Sequence, residues 1–259
     1  MSAQSVAGER TCPGERSAIS RAICRTRQRN QYPKCLLCPH RSARVLESTA
    51  EDPKVSSSVF RTGGVLGRVP DEINEYVIRK VGLASAQFLR AESPSGSRLV
   101  VGCDARKNSR GFTRILSEGI NSGGVDALNL GLAPPELLGF VLSRDGGAGA
   151  AFVGGGTYAD NVSGVRLWRA DGSPLAGGSG LEKVGMIARR LRTGRSRLPG
   201  QMSALDPVRD YVAHIEAFAG GVSPLKVLVD GGCGAGGGLV RSVFEKLPVE
   251  VAPVHFEED

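Results

Sequence analysis

The chain has 259 residues, of which 41% are hydrophobic and 5% aromatic, with 36 glycines and a net charge of +7. That length suits one large domain or two modest ones, and the glycine-rich, aromatic-poor balance points to an α/β protein with tight turns rather than a helical bundle. No apolar run reaches the ~18–20 residues that span a bilayer, and the start lacks the apolar segment of a secretory signal, so a cytoplasmic protein without a membrane partner is expected.

Residues 1–57 show no sustained period. Nine Lys/Arg against three Asp/Glu in the first 50 residues give that segment +6, leaving +1 for all the rest. A basic segment of this kind can bind nucleic acid or an acidic surface, but a solvated leader is the simpler reading, and nucleic acid is not expected as a partner. Four of the six cysteines also lie here. Cys24, Cys35, Cys38 and His40 offer a C-x2-C turn plus two further ligands, a set able to hold zinc and to help order a short polar segment. Without a secretion signal, a disulfide framework is not expected.

From Val59 the pattern changes to alternating strands and helices. Asp71–Arg90 carries apolar residues at helical spacing (Ile73, Val77, Val81, Ala84, Phe88), with Asp71 as a candidate cap. Arg98–Cys103 reads as a buried strand, Gly111–Ser122 as a helix closed by Gly123–Gly124, and Val125–Leu130 as a strand. Pro134–Arg144 is a helix with proline in its first turn, and Ala148–Val153 is a strand. The latter runs into the triplet Gly154, Gly155, Gly156, which lets the backbone turn sharply and approach a ligand. The chain re-enters strand at Gly164–Leu167. Ser179–Arg192 is a helix, Thr193–Gln201 a linker, and Asp206–Phe218 a helix. Strand Leu225–Val229, helix Gly238–Lys246 and strand Val249–Val254 form a last β-α-β unit that leaves apolar surface uncovered by itself. This alternation implies layered α/β architecture with a largely parallel sheet.

Four segments in order carry a more specific signal. Phe60–Gly67 reads FRTGGVLG, Val100–Arg106 reads VVGCDAR, Leu130–Leu137 reads LGLAPPEL, and the glycine loop is followed by Gly164, Val165, Arg166 and Leu167. Together they resemble the α-D-phosphohexomutase family of phosphoglucomutases and phosphomannomutases, over about residues 59–259. Leu225–Gly236 resembles the strand and turn that open that family's second domain. The resemblance implies a leader over residues 1–57, a three-layer α/β/α domain with a mostly parallel sheet over 58–200, and an incomplete second α/β domain over 201–259. It also implies intramolecular phosphotransfer on sugar phosphates.

The departures from the family pattern bear on function. The serine that carries the phosphoryl group in the family falls on Gly156, which has no oxygen to phosphorylate. The next two positions fall on Thr157 and Tyr158. The first motif's arginine falls on Leu66 and its aspartate on Gly63, and Arg166 stands in place of a lysine. The Mg²⁺ loop D-x-D-x-D-R and the sugar-reading G-E-x-S-G loop occur nowhere in this sequence. Gly154, Gly155, Gly156, Thr157 and Arg166 are therefore expected to form a phosphate or substrate loop without a nucleophile. Thr157, with its hydroxyl satisfied by the backbone, is a weak substitute, and Ser163 lies further along. Asp104 and Arg106 keep the family's D-x-R and are expected as an ion pair supporting the loop. The resemblance thus implies a protein without catalysis of its own that binds sugar phosphate weakly or pairs with a full-length relative or a second chain.

A rival reading rests on Asp230–Gly236. DGGCGAG fits D-x-G-x-G-x-G and resembles the first motif of S-adenosylmethionine-dependent methyltransferases. Gly232, Gly234 and Gly237 also fit G-x-G-x-x-G, with Glu257 near where a ribose-binding acid would lie.

Overall fold

Why the strands fall where they do follows from a period of two that is buried on both faces. In the computed structural model, residues 9–12, 18–20, 24, 27, 54–94, 96–191 and 198–257 are described. The chain divides into two units, Met1–Asp52 and Pro53–Asp259. In the first, strands β1 (Glu9–Thr11) and β2 (Ala18–Ser20) pair antiparallel. Cys12 and Cys24 are buried there, and Arg27 donates to Cys12 Sγ at 3.5 Å.

The second unit begins with β3 (Phe60–Arg61) and β4 (Gly64–Arg68). Helix α1 (Glu75–Glu92) leads to β5 (Arg98–Cys103), α2 (Ser109–Ser122) and β6 (Asp126–Leu132). Helix α3 (Pro135–Asp145) precedes β7 (Gly149–Val153), β8 (Val162–Arg169) and β9 (Pro174–Leu175). Helix α4 (Leu181–Arg190), β10 (Met202–Ala204) and α5 (Val208–Phe218) follow. The chain then makes β11 (Leu225–Asp230), α6 (Gly237–Phe244) and β12 (Val249–Val254).

The main sheet has the order β10-β6-β5-β7-β8-β4-β3, with β9 paired to β8. Strands β10, β6, β5 and β7 run parallel. Beyond β7 the sheet is continued by antiparallel β8, β4 and β3. The α/β class is as the sequence predicts, and the parallel strands are those joined through helices. The antiparallel addition follows from the short loop between β7 and β8, since a parallel return would need a long crossover.

Alternation along the strands separates two cores. Leu99, Val101, Cys103, Ala151 and Val153 pack with α1, α2 and α4, while Val100, Ala150 and Phe152 pack with α3 on the opposite face. This is the three-layer arrangement. The first helical layer is tight because α1 and α2 approach backbone to backbone: a Cβ at Gly82 would overlap the Leu116 carbonyl, and one at Gly119 the Arg79 carbonyl. α1 starts later than its apolar spacing suggests. Asn74, not Asp71, is its cap, and the Asn74 side chain accepts from Val77 N at 3.1 Å. Residues 71–73 instead form the turn in which Glu72 accepts from the Arg68 backbone amide at 2.9 Å.

Strand β10 lies at the edge of the main sheet, with Met202 opposite Ala127. Strands β11 and β12 form a separate parallel pair, in register from Leu225↔Val249 to Asp230↔Val254. Among the described residues no helix is long and apolar enough to cross a membrane.

Candidate functional site

The carboxyl ends of parallel strands, where helices begin and backbone amides point outward, are the usual place for ligand chemistry in an α/β sheet. Here β5 ends in Asp104-Ala105-Arg106 and its neighbour β7 ends in Gly154–Gly156, so residues 50 apart in sequence meet at one rim.

Asp104 and Arg106 build the loop from beneath. The Asp104 carboxylate accepts from Gly155 N at 2.9 Å, from Arg106 N at 3.2 Å, and from the buried Ser109 hydroxyl at 2.5 Å. Arg106 Nε lies 3.2 Å from Asp104 Oδ2. The guanidinium then donates to the carbonyls of Gly156 (2.9 Å), Tyr158 (2.8 Å), Ala159 (2.9 Å) and Val162 (3.3 Å). Arginine suits this task because its fork of donors is fixed in one plane. Arg106 is thus committed to holding the loop's own backbone. The glycines are required by this packing: a Cβ at Gly154 would overlap Asp104 Oδ2, and one at Gly155 would lie 2.6 Å from the Arg106 guanidinium carbon.

Gly156 has φ +59°, in the left-handed region. A Cβ there would overlap Arg166 Nη2 and lie 3.2 Å from its Cζ. Arg166 reaches that point from β8, whose register places Leu167 opposite Ala151 and Arg166 opposite Phe152. The structure therefore brings together every residue of the expected loop: Gly154, Gly155, Gly156, Thr157 and Arg166, with Asp104 and Arg106 below.

Other expectations are altered. Thr157 is exposed and its hydroxyl makes no hydrogen bond among the described residues, so the backbone capping expected for it is not formed. Ser163 is 3% exposed and its hydroxyl has no partner among the described residues, which removes it from the loop's open side. Leu66 is 1% exposed and pairs with Gly164, so the arginine position of the first motif has become core. Ser109 escaped sequence reasoning. Its only signal was a serine at the start of a helix five residues after Asp104. Near the first motif, Glu72 is held below the usual carboxylate range, chiefly by the Arg68 amide.

The second glycine cluster is shaped by its own chain. A Cβ at Gly231 would lie 2.8 Å from His255 O, and one at Gly237 would lie 2.8 Å from Phe256 O. Asp230 Oδ1 accepts from Gly232 N at 2.9 Å and lies 3.1 Å from His255 Nδ1. Those contacts hold the Asp230 carboxyl below its ordinary range, the Gly232 amide being the larger cause.

Of the proposed zinc ligands only Cys24 is among the described residues; Cys35, Cys38 and His40 lie outside them. Among the described residues no group of three His, Cys, Asp or Glu could hold a metal ion. The Mg²⁺ that the resemblance implies also finds no fit at the rim among the described residues, because the half-buried Asp104 carboxylate is taken by Arg106, Gly155 and Ser109.

The site is thus a glycine loop at the carboxyl rim of a layered α/β domain, anchored by a D-x-R strand end. Residues 57–176 match the family model described as phosphoglucomutase/phosphomannomutase, alpha/beta/alpha domain I. A phosphomannomutase of Vibrio cholerae is 24% identical over 207 residues, covering 77% of this chain and 45% of that protein. A phosphoglucosamine mutase of Synechococcus elongatus is 26% identical, covering 76% of this chain and 43% of that protein. The crystal structure of a phosphoglucomutase/phosphomannomutase family protein from Burkholderia thailandensis matches with a TM-score of 0.69 and 26% identity, over 79% of this chain and 45% of that one. The chain is related to the α-D-phosphohexomutases over their N-terminal portion, and it spans less than half the length of these relatives.

Proposed function

We propose that this chain is a phosphohexomutase-like protein of carbohydrate metabolism that binds sugar phosphate at the glycine loop but does not carry out phosphoryl transfer by itself. One observation carries this reading. At the turn where the resemblance places a phosphoserine stands Gly156, and the volume a side chain would need is filled by Arg166. Covalent phosphoryl transfer needs an activated oxygen and cations around the developing charge. Of the two aliphatic hydroxyls within the loop and its return strand, Thr157 is exposed and Ser163 is buried.

The test is a coupled assay on the full chain with glucose 1-phosphate and mannose 1-phosphate. No turnover above background is expected, and robust turnover sinks the reading. Phosphopeptide mapping after exposure to a sugar bisphosphate addresses Thr157, where no label is expected.

The chain is cytoplasmic, and residues 58–200 act as the first domain with 201–259 as the opening of a second. A second chain or a full-length relative would supply the metal loop missing from this sequence. Co-purification with such a relative, followed by a gain of turnover, is the result that would favour an enzyme completed in trans. The zinc set of the leader is tested by metal content with Cys35→Ser as control.

A further inference from the structure

Arg166 differs from every other arginine around the loop. Its stem runs past Gly64, where a Cβ would lie 3.3 Å from its Cγ, and its head lies over Gly156. Both glycines have positive φ, +139° and +59°. The side chain thus threads a channel whose two narrow points are open only because neither residue has a side chain. Arg166 is half-buried. Yet among the described residues its guanidinium has no hydrogen bond and no ion pair, whereas Arg106, one layer below, has four carbonyls and a carboxylate. A partly desolvated guanidinium with its donors unmet is costly unless an acceptor reaches it. Protein acceptors do not compete: Asp104 is consumed by Arg106, Gly155 and Ser109, and the exposed Asp160 makes no ion pair with it. The amides of Gly156 and Thr157, in the same turn, likewise donate to nothing among the described residues.

We propose that Arg166 turns the loop into a non-covalent site for a phosphate-class oxyanion, held between its guanidinium and the amides of Gly156 and Thr157. This rests on the reading that residue 156 carries no phosphoryl group, and it adds the group that replaces that function. The chemistry fits. A planar fork takes two oxygens of a tetrahedral phosphate, and successive amides of a turn form a concavity for the third. The arginine's head occupies the space that a side chain at position 156 would need.

Titration calorimetry of the full chain with inorganic phosphate, glucose 1-phosphate and glucose tests this. Phosphate and glucose 1-phosphate are expected to bind and glucose is not; the tighter of the two shows whether the oxyanion comes free or as a monoester. Arg166→Gln is expected to weaken binding by about tenfold or more, the worth of charged hydrogen bonds. Arg166→Lys should lose less, and Gly156→Ala, which puts a methyl where the guanidinium rests, should lose about as much as Arg166→Gln. Since Arg166 has no hydrogen-bond or ion-pair partner among the described residues, Arg166→Gln should leave the thermal midpoint at or above the parent's without phosphate. Equal phosphate affinity in parent and Arg166→Gln, or no phosphate binding at millimolar concentration, overturns the proposal. Turnover or a phosphorylated loop residue would instead overturn the reading of inactivity, whatever the phosphate titration shows.

Discussion

β5–α2–β6 and β11–α6–β12 are built alike: an apolar strand, a helix, and a parallel strand beside the first. Their burial is opposite. Leu99, Val100 and Val101 are 0% exposed, while Leu225 is 53% and Leu228 is 72% exposed. β5 has β6 and β7 on its two edges and helices on both faces. Among the described residues β11 has only β12 beside it, and Gly237 is the one buried residue of α6. Similar local sequence therefore yields a buried strand in one β-α-β segment and a thinly covered one in the other. What differs is the number of layers, and burying one leucine is worth about 1.5–3 kcal/mol.

The comparison breaks most visibly at Leu116, fully buried between α1 and the sheet. Leu116→Ala should cost about 2–5 kcal/mol in urea unfolding. Next comes Arg106→Ala, which takes the guanidinium from four loop carbonyls and the ion-pair partner from Asp104. It should destabilise by about 2 kcal/mol and speed hydrogen exchange across residues 154–162. Asn74→Ala removes the α1 cap and should cost about 1 kcal/mol, seen as a lowered thermal midpoint. Leu228→Ala, in the open unit, should stay within about 0.5 kcal/mol of the parent, and a larger loss would mean that β11 is covered.

The smallest effect concerns acid. The Asp230 carboxyl is held below its ordinary value of 3.8 by the Gly232 amide and then by His255. A carboxyl with a depressed value in the folded state stabilises fully above its ordinary value, and that contribution is lost as pH falls through the folded value. Below about pH 4, Asp230→Asn should therefore lose less stability than the parent on further acidification, read as a shallower dependence of the thermal midpoint on pH.

Much of this was legible along the chain. Arg98–Cys103 and Val249–Val254 fall where alternation and β-branched runs place them, since a strand's period depends only on which side chains face the core. Helix starts were less legible. Ile73 has helical spacing but belongs to a turn, because Glu72 ties back to Arg68 and the helix waits for Asn74. The antiparallel half of the main sheet was not legible either, for pairing partners are chosen by loop length and sheet edges rather than by any one strand's composition.

At the site the division is equally physical. The order of residues alone determined that no hydroxyl stands at position 156, that the metal loop does not occur in this sequence, and that Asp104 and Arg106 lie at a strand end. Only the tertiary structure decided what those residues do. It spends Arg106 on the loop's own carbonyls and aims Arg166, from a strand on the far side of the loop, into the space left by Gly156. Two arginines of the same residue type thus receive different tasks, because a guanidinium's role is set by which acceptors surround it in space, and those come from segments far apart in sequence.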